Sequence, residues 1–203
     1  MEDSQQNILD SLPDHMESER LIIRVPRPGD GAIINEAIVE SFAELINWLP
    51  WAQEVPSVSE SETFASQARE SYEARTAIPL ILFQKEGGRF VGASGFPRIN
   101  WDVPRVEIGY WCRSSLTGKG YISEAVARVT RFAFESAGAN RVEIRVDSRN
   151  ERSYAIPERL GYTLEGTLRN DSRDLSGQAL RDTRLYSMIS TQELHDPGGV
   201  PKL

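Results

Sequence analysis

A glycine-rich loop at residues 114–120 is the segment of this sequence best suited to bind a charged ligand. The loop reads Ser-Ser-Leu-Thr-Gly-Lys-Gly and lies between a predicted strand and a predicted helix. Such a loop offers free backbone N–H groups and the positive end of a helix dipole, which suit a phosphate or a pyrophosphate. Lys119 and Arg113 add positive charge. Glycines are also common in plain strand-to-helix turns, so the loop alone leaves both interpretations open.

Two familiar phosphate-binding motifs match this loop incompletely. The P-loop motif requires a glycine where Arg113 stands and a Ser or Thr where Gly120 follows the lysine, so that motif is absent from the loop. The dinucleotide-binding motif Gly-x-Gly-x-x-Gly matches at Gly118 and Gly120, but Ser123 occupies its third place. This motif normally follows the first strand of its unit, whereas several predicted strands and two helices precede the loop. A nicotinamide-dependent oxidoreductase stays open as an alternative function.

Two carboxylates are candidates for proton transfer. Glu107 lies on a strand directly before the loop and alternates with apolar residues, so it could act as a base in a cleft through a water molecule. A solvated strand carboxylate explains the same pattern equally well. Asp182, in the last strand pair, is a second candidate, although a surface turn residue is the favoured interpretation there. Since the only histidines, His15 and His195, lie near the chain ends, we expect no histidine-based triad or metal cluster.

The elements that must position these residues follow from hydrophobic periodicity. Strands are predicted at about residues 20–25, 78–84, 90–96, 105–112, 142–146, 162–168 and 180–189, and helices begin near residues 30, 57, 118 and 150. This order indicates an α/β (mixed α+β) fold, in which a central mixed sheet of about seven strands has helices on both faces. Since no linker or internal repeat interrupts the 203 residues, we expect one domain at 18–190, an N-terminal tail at 1–17 and a C-terminal tail at 191–203.

Composition narrows the class of protein further. With 23 basic and 30 acidic side chains the net charge is −7, so we expect no long-range attraction to nucleic acid or to an anionic membrane. Cys112 is the only cysteine, which excludes a disulfide framework or a multi-cysteine zinc site and fits a reducing compartment. The first residues do not resemble a signal peptide, and no apolar run has the length of a membrane span. We therefore expect a cytoplasmic protein.

Six short segments, taken in order, carry a family resemblance. They are Glu-Ile-Gly-Tyr-Trp at 107–111, Gly-Lys-Gly-Tyr-Ile-Ser-Glu-Ala at 118–125, Asn-Arg-Val at 140–142, Asn-Glu-Arg-Ser at 150–153, Glu-Arg-Leu-Gly-Tyr at 158–162 and Glu-Gly at 165–166. This series resembles the GNAT superfamily of acetyl-CoA-dependent N-acetyltransferases, and most of all the branch that contains the ribosomal-protein N-acetyltransferases RimJ and RimL. The resemblance covers about residues 20–189 and implies the GNAT fold, whose mostly antiparallel sheet is splayed at the cofactor site.

The resemblance implies a set of cofactor-binding residues and no metal. In the family, the backbone amides of the Gly-x-Gly loop bind the CoA pyrophosphate, and the strand before the loop pairs with the pantetheine arm. The family usually has Gln or Arg at the place of Ser115, so Arg113 or Lys119 is expected to supply the missing charge. The residues implied to bind acetyl-CoA are Trp111, Cys112, Arg113, Gly118, Lys119, Gly120, Tyr121, Asn150 and Ser153.

The resemblance also suggests a proton donor and an acceptor site. Many superfamily members have a proton-donating tyrosine seven residues after the asparagine, and here that place is Pro157, which cannot donate. Ser153 stands where the RimL-type branch uses a serine as the acid for the CoA sulfur, and Tyr154 is the alternative. Trp48 and Trp51 are candidate walls of the acceptor pocket, although core packing is the commoner role of such aromatics.

The resemblance leaves the acceptor open. The first candidate is the N-terminal amine of a protein, a ribosomal protein among others. The alternatives are a small amine (an amino acid, a polyamine or an aminoglycoside) and a non-catalytic protein that binds acyl-CoA and regulates a partner. Family members often form homodimers, so a homodimer is one candidate assembly, and the sequence leaves the oligomeric state open.

Overall fold

The computed structural model describes residues 12–174 and 177–195, and an eight-stranded sheet forms its centre. The strands lie in the order β1-β2-β3-β4-β5-β6-β8-β7, and every neighbouring pair is antiparallel except β5 and β6. The mixed, mostly antiparallel sheet is confirmed, with one strand more than the seven expected. The strands are β1 (His15–Glu17), β2 (Leu21–Arg24), β3 (Ile78–Gln84), β4 (Phe90–Asn100), β5 (Arg105–Cys112), β6 (Arg141–Asp147), β7 (Thr163–Arg173) and β8 (Leu180–Met188).

Four α-helices begin at residues that suit a helix N-terminus. Ser57 and Glu60 form a capping box at the start of α2, and the Asn150 side chain accepts a hydrogen bond from the Ser153 N–H at the start of α4. Before α3, Gly120 has a φ of 80°, a left-handed conformation that glycine adopts without steric cost. The helices are α1 (Gly31–Leu45), α2 (Val58–Glu73), α3 (Tyr121–Glu135) and α4 (Glu151–Arg159).

The helices cover both faces of the sheet, as predicted. The apolar stripe of α3 belongs to the larger buried cluster, together with Val106 and Ile108 of β5. Helix α1 packs on the opposite face in a second cluster, and Trp111 lies against that cluster. The alternation read from the sequence of β5 therefore sorts its side chains correctly between the two faces.

The sheet opens between β5 and β6. These two strands pair only over residues 105–107 with 141–143, and Glu107 opposite Glu143 is the last pair. Beyond that point β4 still pairs with β5 up to Cys112, and β8 still pairs with β6 up to Asp147. Because each strand follows its outer neighbour, a gap forms between the two halves of the sheet.

Both predicted tail boundaries need correction. Residues 15–17, expected in the N-terminal tail, form β1, and Leu12 and Met16 are buried in the main core. In the expected C-terminal tail, residues 191–193 form a 3-10 turn, and the His195 N–H donates to the Leu160 carbonyl at 3.0 Å. A three-residue strand and a single turn are too short to give a clear periodic signal. The rest of both predicted tails, 1–11 and 196–203, lies outside the described residues.

Candidate active site

A cavity of about 1890 Å³ lies at the opening between β5 and β6. It extends from the glycine-rich loop and the start of α3, along β5, to the start of α4 and the segment after α1. Most of the residues predicted to form a site line it: Trp48, Trp51, Glu107, Trp111, Cys112, Gly118, Gly120, Tyr121, Asn150 and Ser153. Four predicted site residues are not among its lining residues, namely Arg113, Lys119, Tyr154 and Asp182.

The loop before α3 presents unpaired backbone donors to this cavity. Gly118 and Gly120 have φ values of 75° and 80°, and a Cβ on Gly118 would meet no atom within 4 Å. The first backbone hydrogen bond of α3 joins the Glu124 N–H to the Gly120 carbonyl at 3.0 Å. Within the described residues, the N–H groups of residues 118–123 therefore have no acceptor. This arrangement can bind an anionic group such as a pyrophosphate.

The structure corrects the prediction that Arg113 supplies charge to a cofactor. Its guanidinium donates through Nε to Glu40 at 2.6 Å and through Nη2 to Glu36, both on α1. The Arg113 side chain is only 8% exposed, and both of its acidic partners lie outside the cavity lining. The two carboxylates of α1 neutralise the charge of Arg113, and the same ion pairs fix the loop to α1.

Helix α1 also holds the 3-10 turn at residues 114–116 through a carboxylate. Glu40 accepts hydrogen bonds from the Ser115 N–H at 3.0 Å and from Arg113. Next to it, the Ser114 N–H donates to the Ser41 hydroxyl. The hydrogen bonds from Ser115, and then the one from Arg113, lower the pKa of Glu40 to about 2. The ionised form of Glu40 is thus stabilised by the contacts that hold the turn.

Glu40 is expected to make the stability of the protein depend on pH in acid. Its pKa falls from an ordinary 4.5 to about 2 on folding, so its contribution is complete above pH 4.5 and disappears as the pH falls towards 2. A fall from neutral pH to about pH 3 should therefore lower the melting temperature of the wild type more than that of Glu40→Gln, as measured by thermal unfolding. Glu86→Gln, at an exposed turn position, is the control and should follow the wild type. Parallel curves for Glu40→Gln and the wild type would contradict this assignment.

Arg20 brings a partly exposed guanidinium to the loop, although it is paired with Glu124, and the sequence pattern did not predict this. Its Nε donates to Glu124 at 2.6 Å, its Nη1 donates to the Lys119 carbonyl at 3.0 Å, and its guanidinium lies 4.5 Å from the centre of the Tyr121 ring. Its Nη2 would be 3.4 Å from a Cβ on Gly120. Arg20 lines the cavity, whereas Lys119 contributes only a carbonyl to this network. The acidic Glu124 in the first turn of α3 was the sequence signal for a cationic partner.

Asn150 and Ser153 lie together at the start of α4. The Asn150 Oδ1 accepts a hydrogen bond from the Ser153 N–H at 3.2 Å, so Asn150 is an N-cap and also lines the cavity. The Ser153 side chain is partly exposed and lines the same cavity. The capping interaction therefore holds the backbone of Ser153 beside the cavity.

Tyr110 contacts Ser153 at two atoms, which the sequence did not indicate. Its hydroxyl donates to the Ser153 carbonyl at 2.9 Å, and the Ser153 Oγ lies 3.4 Å from the same hydroxyl. Burial raises the pKa of the Tyr110 phenol, which keeps it protonated. The alternation in β5 predicted the face on which Tyr110 lies, but not a hydrogen-bond partner 43 residues away in sequence.

Two predicted catalytic candidates face away from the cavity. The Tyr154 ring lies under the guanidinium of Arg184, 3.8 Å from its centre, and packs against the main core. The Asp182 Oδ1 accepts a hydrogen bond from the Asn170 N–H at 2.8 Å, where Asn170 has a positive φ of 54° in an irregular part of β7. These placements disfavour Tyr154 as a proton donor and Asp182 as a base.

Glu107 lies at the end of the paired part of β5 and β6, where the sheet begins to open. Its carboxylate is 3.1 Å from Arg98 Nη1, and its side chain is 18% exposed. Glu107 lines the cavity, and its partner in this ion pair, Arg98, is mostly exposed. Its role as a base stays a prediction.

The two predicted acceptor-site tryptophans line the other side of the cavity. Trp51 is half-exposed, and its ring centroid lies 6.1 Å from that of Trp111. The Trp48 N–H donates to the Leu45 carbonyl at 3.0 Å, so this segment winds directly onto the last turn of α1. The segment forms an apolar wall opposite α4.

A sheet that opens beside a loop of free amides is a binding site for an anionic ligand, and comparisons with known proteins identify the family. The sequence model of one protein family, described as an acetyltransferase (GNAT) domain, matches residues 20–163. The chain belongs to the GNAT acetyltransferase family. Within that family, it is 32% identical over 177 residues to the Bacillus subtilis (strain 168) protein named "Putative ribosomal N-acetyltransferase YdaF", covering 86% of this chain and 94% of the relative.

Solved structures share the fold. The microcin C7 self-immunity acetyltransferase MccE, in complex with acetyl-CoA and AMP, has a TM-score of 0.80 at 24% identity and covers 89% of this chain and 99% of its own. RimL, a ribosomal alpha-N-protein acetyltransferase in complex with coenzyme A, has a TM-score of 0.79 at 22% identity and covers 89% and 98%. The GNAT fold is thereby confirmed.

Neither a metal site nor a membrane-spanning helix is present within residues 12–174 and 177–195. In these ranges, no three His, Cys, Asp or Glu side chains come together in a way that could hold a metal ion. No helix there is both long enough and apolar enough to cross a membrane.

Proposed function

We propose that this protein transfers the acetyl group of acetyl-CoA to a primary amine in the cytoplasm, and that the first candidate acceptor is the N-terminal amine of a ribosomal protein. One observation carries the proposal: a single cavity connects a loop of unpaired amides to Ser153 at the opening of the sheet. The acceptor class is supported by the names of YdaF and RimL, which describe ribosomal-protein acetylation in those relatives.

The residues along the cavity fit acetyl-CoA, which supplies the reactive thioester. The amides of residues 118–123 and the guanidinium of Arg20 would bind its phosphates. Trp111 and Cys112, at the end of β5 that pairs with β4 but not with β6, would lie beside the pantetheine arm, together with Asn150 of α4. No metal is required in this arrangement, since backbone and guanidinium donors neutralise the phosphate charge.

The remaining residues hold or move protons. As the amine nitrogen bonds to the acetyl carbon and the carbon–sulfur bond breaks, the amine must lose one proton and the sulfur must gain one. Glu107, at the floor of the opening, would accept the amine proton through water. Ser153 would give its hydroxyl proton to the sulfur and regain one from solvent. Trp48 and Trp51 would exclude water from the acceptor side.

Replacing Arg20 is expected to weaken CoA binding. The variant Arg20→Gln removes a charge-assisted interaction of roughly 1.5–3 kcal/mol, so the Kd for CoA should rise by about 10- to 100-fold. Calorimetry with CoA measures this change. Because Arg20 also pairs with Glu124, the control is the double variant Arg20→Gln, Glu124→Gln, which removes the unpaired carboxylate. Recovery of wild-type affinity in the double variant would show that Arg20 only neutralises Glu124.

The function is tested with the purified full chain, acetyl-CoA and a panel of amines, with release of the free thiol as the readout. The panel contains peptides with ribosomal-protein N-termini, free amino acids, polyamines and aminoglycosides, and mass spectrometry locates the acetyl group. Turnover on the peptides alone supports the first acceptor. If CoA raises the melting temperature of the protein but no amine is acetylated, the protein is a regulator instead. A rise in melting temperature with NAD(H) and none with CoA would overturn the proposal.

A further inference from the structure

Helix α4 contains a proline that removes one of its own hydrogen bonds. Pro157 has no N–H, so it cannot donate to the carbonyl four residues earlier, which is that of Ser153. A carbonyl in the middle of a helix normally has that partner. In this protein the hydroxyl of Tyr110, from β5, donates to the Ser153 carbonyl at 2.9 Å. The phenol replaces the missing backbone donor.

The same hydroxyl also contacts the side chain of Ser153. The Ser153 Oγ lies 3.4 Å from the Tyr110 oxygen, with Ser153 as the donor. Because Tyr110 donates its proton to the carbonyl, its oxygen is left to accept the hydrogen bond from Ser153 Oγ. The Tyr110 side chain packs against the main core, and its strand is paired with β4 at Ser94, so its position is well defined. One partly buried phenol therefore contacts both the carbonyl and the hydroxyl of Ser153.

We propose that Tyr110 is a positioning residue for Ser153, and that Pro157 makes this possible by leaving the Ser153 carbonyl free. The hydroxyl of Tyr110 limits the rotation of the Ser153 side chain and holds its O–H at the cavity wall. The proposal rests on the proposed role of Ser153 as the acid. It assigns a function to a proline that would otherwise only weaken α4.

The first experiment uses Tyr110→Phe, which keeps the ring and removes the hydroxyl. The loss of one orienting hydrogen bond should lower kcat by roughly 3- to 10-fold, while the Kd for CoA stays within about twofold of the wild type. In the Ser153→Ala background, Tyr110→Phe should have no further effect on kcat, because the group that it orients is gone. Full kcat in a folded Tyr110→Phe variant would overturn the proposal, and so would additive losses in the double variant.

The second experiment uses Pro157→Ala, which restores an N–H that can donate to the Ser153 carbonyl. Alanine suits a helix interior far better than proline, so α4 should be at least as stable in this variant. The proposal nevertheless expects kcat to fall, because the new N–H competes with Tyr110 for the Ser153 carbonyl and weakens the contact that positions Ser153, and a merely structural role would not lower it. An unchanged kcat together with unchanged or increased thermal stability would contradict the role of Pro157.

The contact can also be tested without turnover. With tyrosine labelled at Cζ with carbon-13, the Tyr110 signal is assigned as the one that Tyr110→Phe removes. This signal should shift in Pro157→Ala and in Ser153→Ala, and it should not shift in Tyr154→Phe. If the wild type acetylates no amine but these shifts are observed, the proposed function is refuted and the contact between Tyr110 and Ser153 is supported. Active wild type with no shift in either variant would refute the positioning role alone.

Discussion

The variant Gly120→Val is expected to lose nearly all CoA binding. Gly120 has a φ of 80°, where a β-branched residue costs roughly 1–3 kcal/mol in backbone strain, and its new side chain would begin 3.4 Å from Arg20. Any shift of the loop that relieves this strain also misaligns the amides of residues 118–123. With several charge-assisted hydrogen bonds lost, the Kd for CoA should rise by at least about 100-fold. Calorimetry with CoA is the measurement.

A matched variant separates binding from folding. Gly29 also has a positive φ, of 98°, with open space around a new Cβ, and it lies outside the lining of the cavity. Gly29→Val should therefore suffer comparable backbone strain and keep its affinity for CoA. Wild-type affinity in a folded Gly120→Val variant would refute the assignment of the loop to the cofactor.

The variant Ser153→Ala is expected to lower kcat by roughly 100-fold or more, the range for a positioned general acid, with little change in KM. A thiol has an ordinary pKa near 8.5, so an unassisted thiolate can still leave and some activity should remain. Steady-state kinetics of thiol release measure both constants. The effect should exceed that of Tyr110→Phe, because the proton donor itself is removed.

Tyr154→Phe is the control for that experiment. Because the Tyr154 ring lies under Arg184 and away from the cavity lining, the variant should keep its kcat. For the same reason, Ser153→Ala, Tyr154→Phe should be no slower than Ser153→Ala. Full kcat in Ser153→Ala together with a loss in Tyr154→Phe would identify Tyr154 as the acid and overturn the role of Ser153.

Local sequence patterns predicted all four helices and every strand of this fold except β1. The apolar stripe of α3, the alternation in β5 and the caps at Ser57 and Asn150 each arise from residues close together in the chain. The structure places those elements where the patterns predicted them. The short β1 was missed because its only buried residue, Met16, cannot show a period, and its pairing with β2 is a tertiary interaction.

The parts of the site that the sequence did not predict depend on contacts between residues far apart in the chain. Arg113 appeared free because its partners on α1, Glu36 and Glu40, lie more than 70 residues earlier. Arg20 was overlooked for the same reason, since Glu124 and the loop come about 100 residues after it. A charged side chain in a loop indicates that a partner is needed, but its type alone does not say whether that partner is a ligand or another element.

Helix α1 contacts both ends of the cavity. Its carboxylates hold the turn before the glycine loop, and its last turn carries the tryptophan segment. Thermodynamic linkage makes any coupling between the two ends reciprocal. If a ligand at the loop changes the affinity for an acceptor at the tryptophan wall by some factor, the acceptor changes the affinity for the loop ligand by the same factor. Cooperativity transmitted through α1 would therefore depend on the ion pairs of Arg113, although they lie outside the cavity lining and touch neither ligand's site directly.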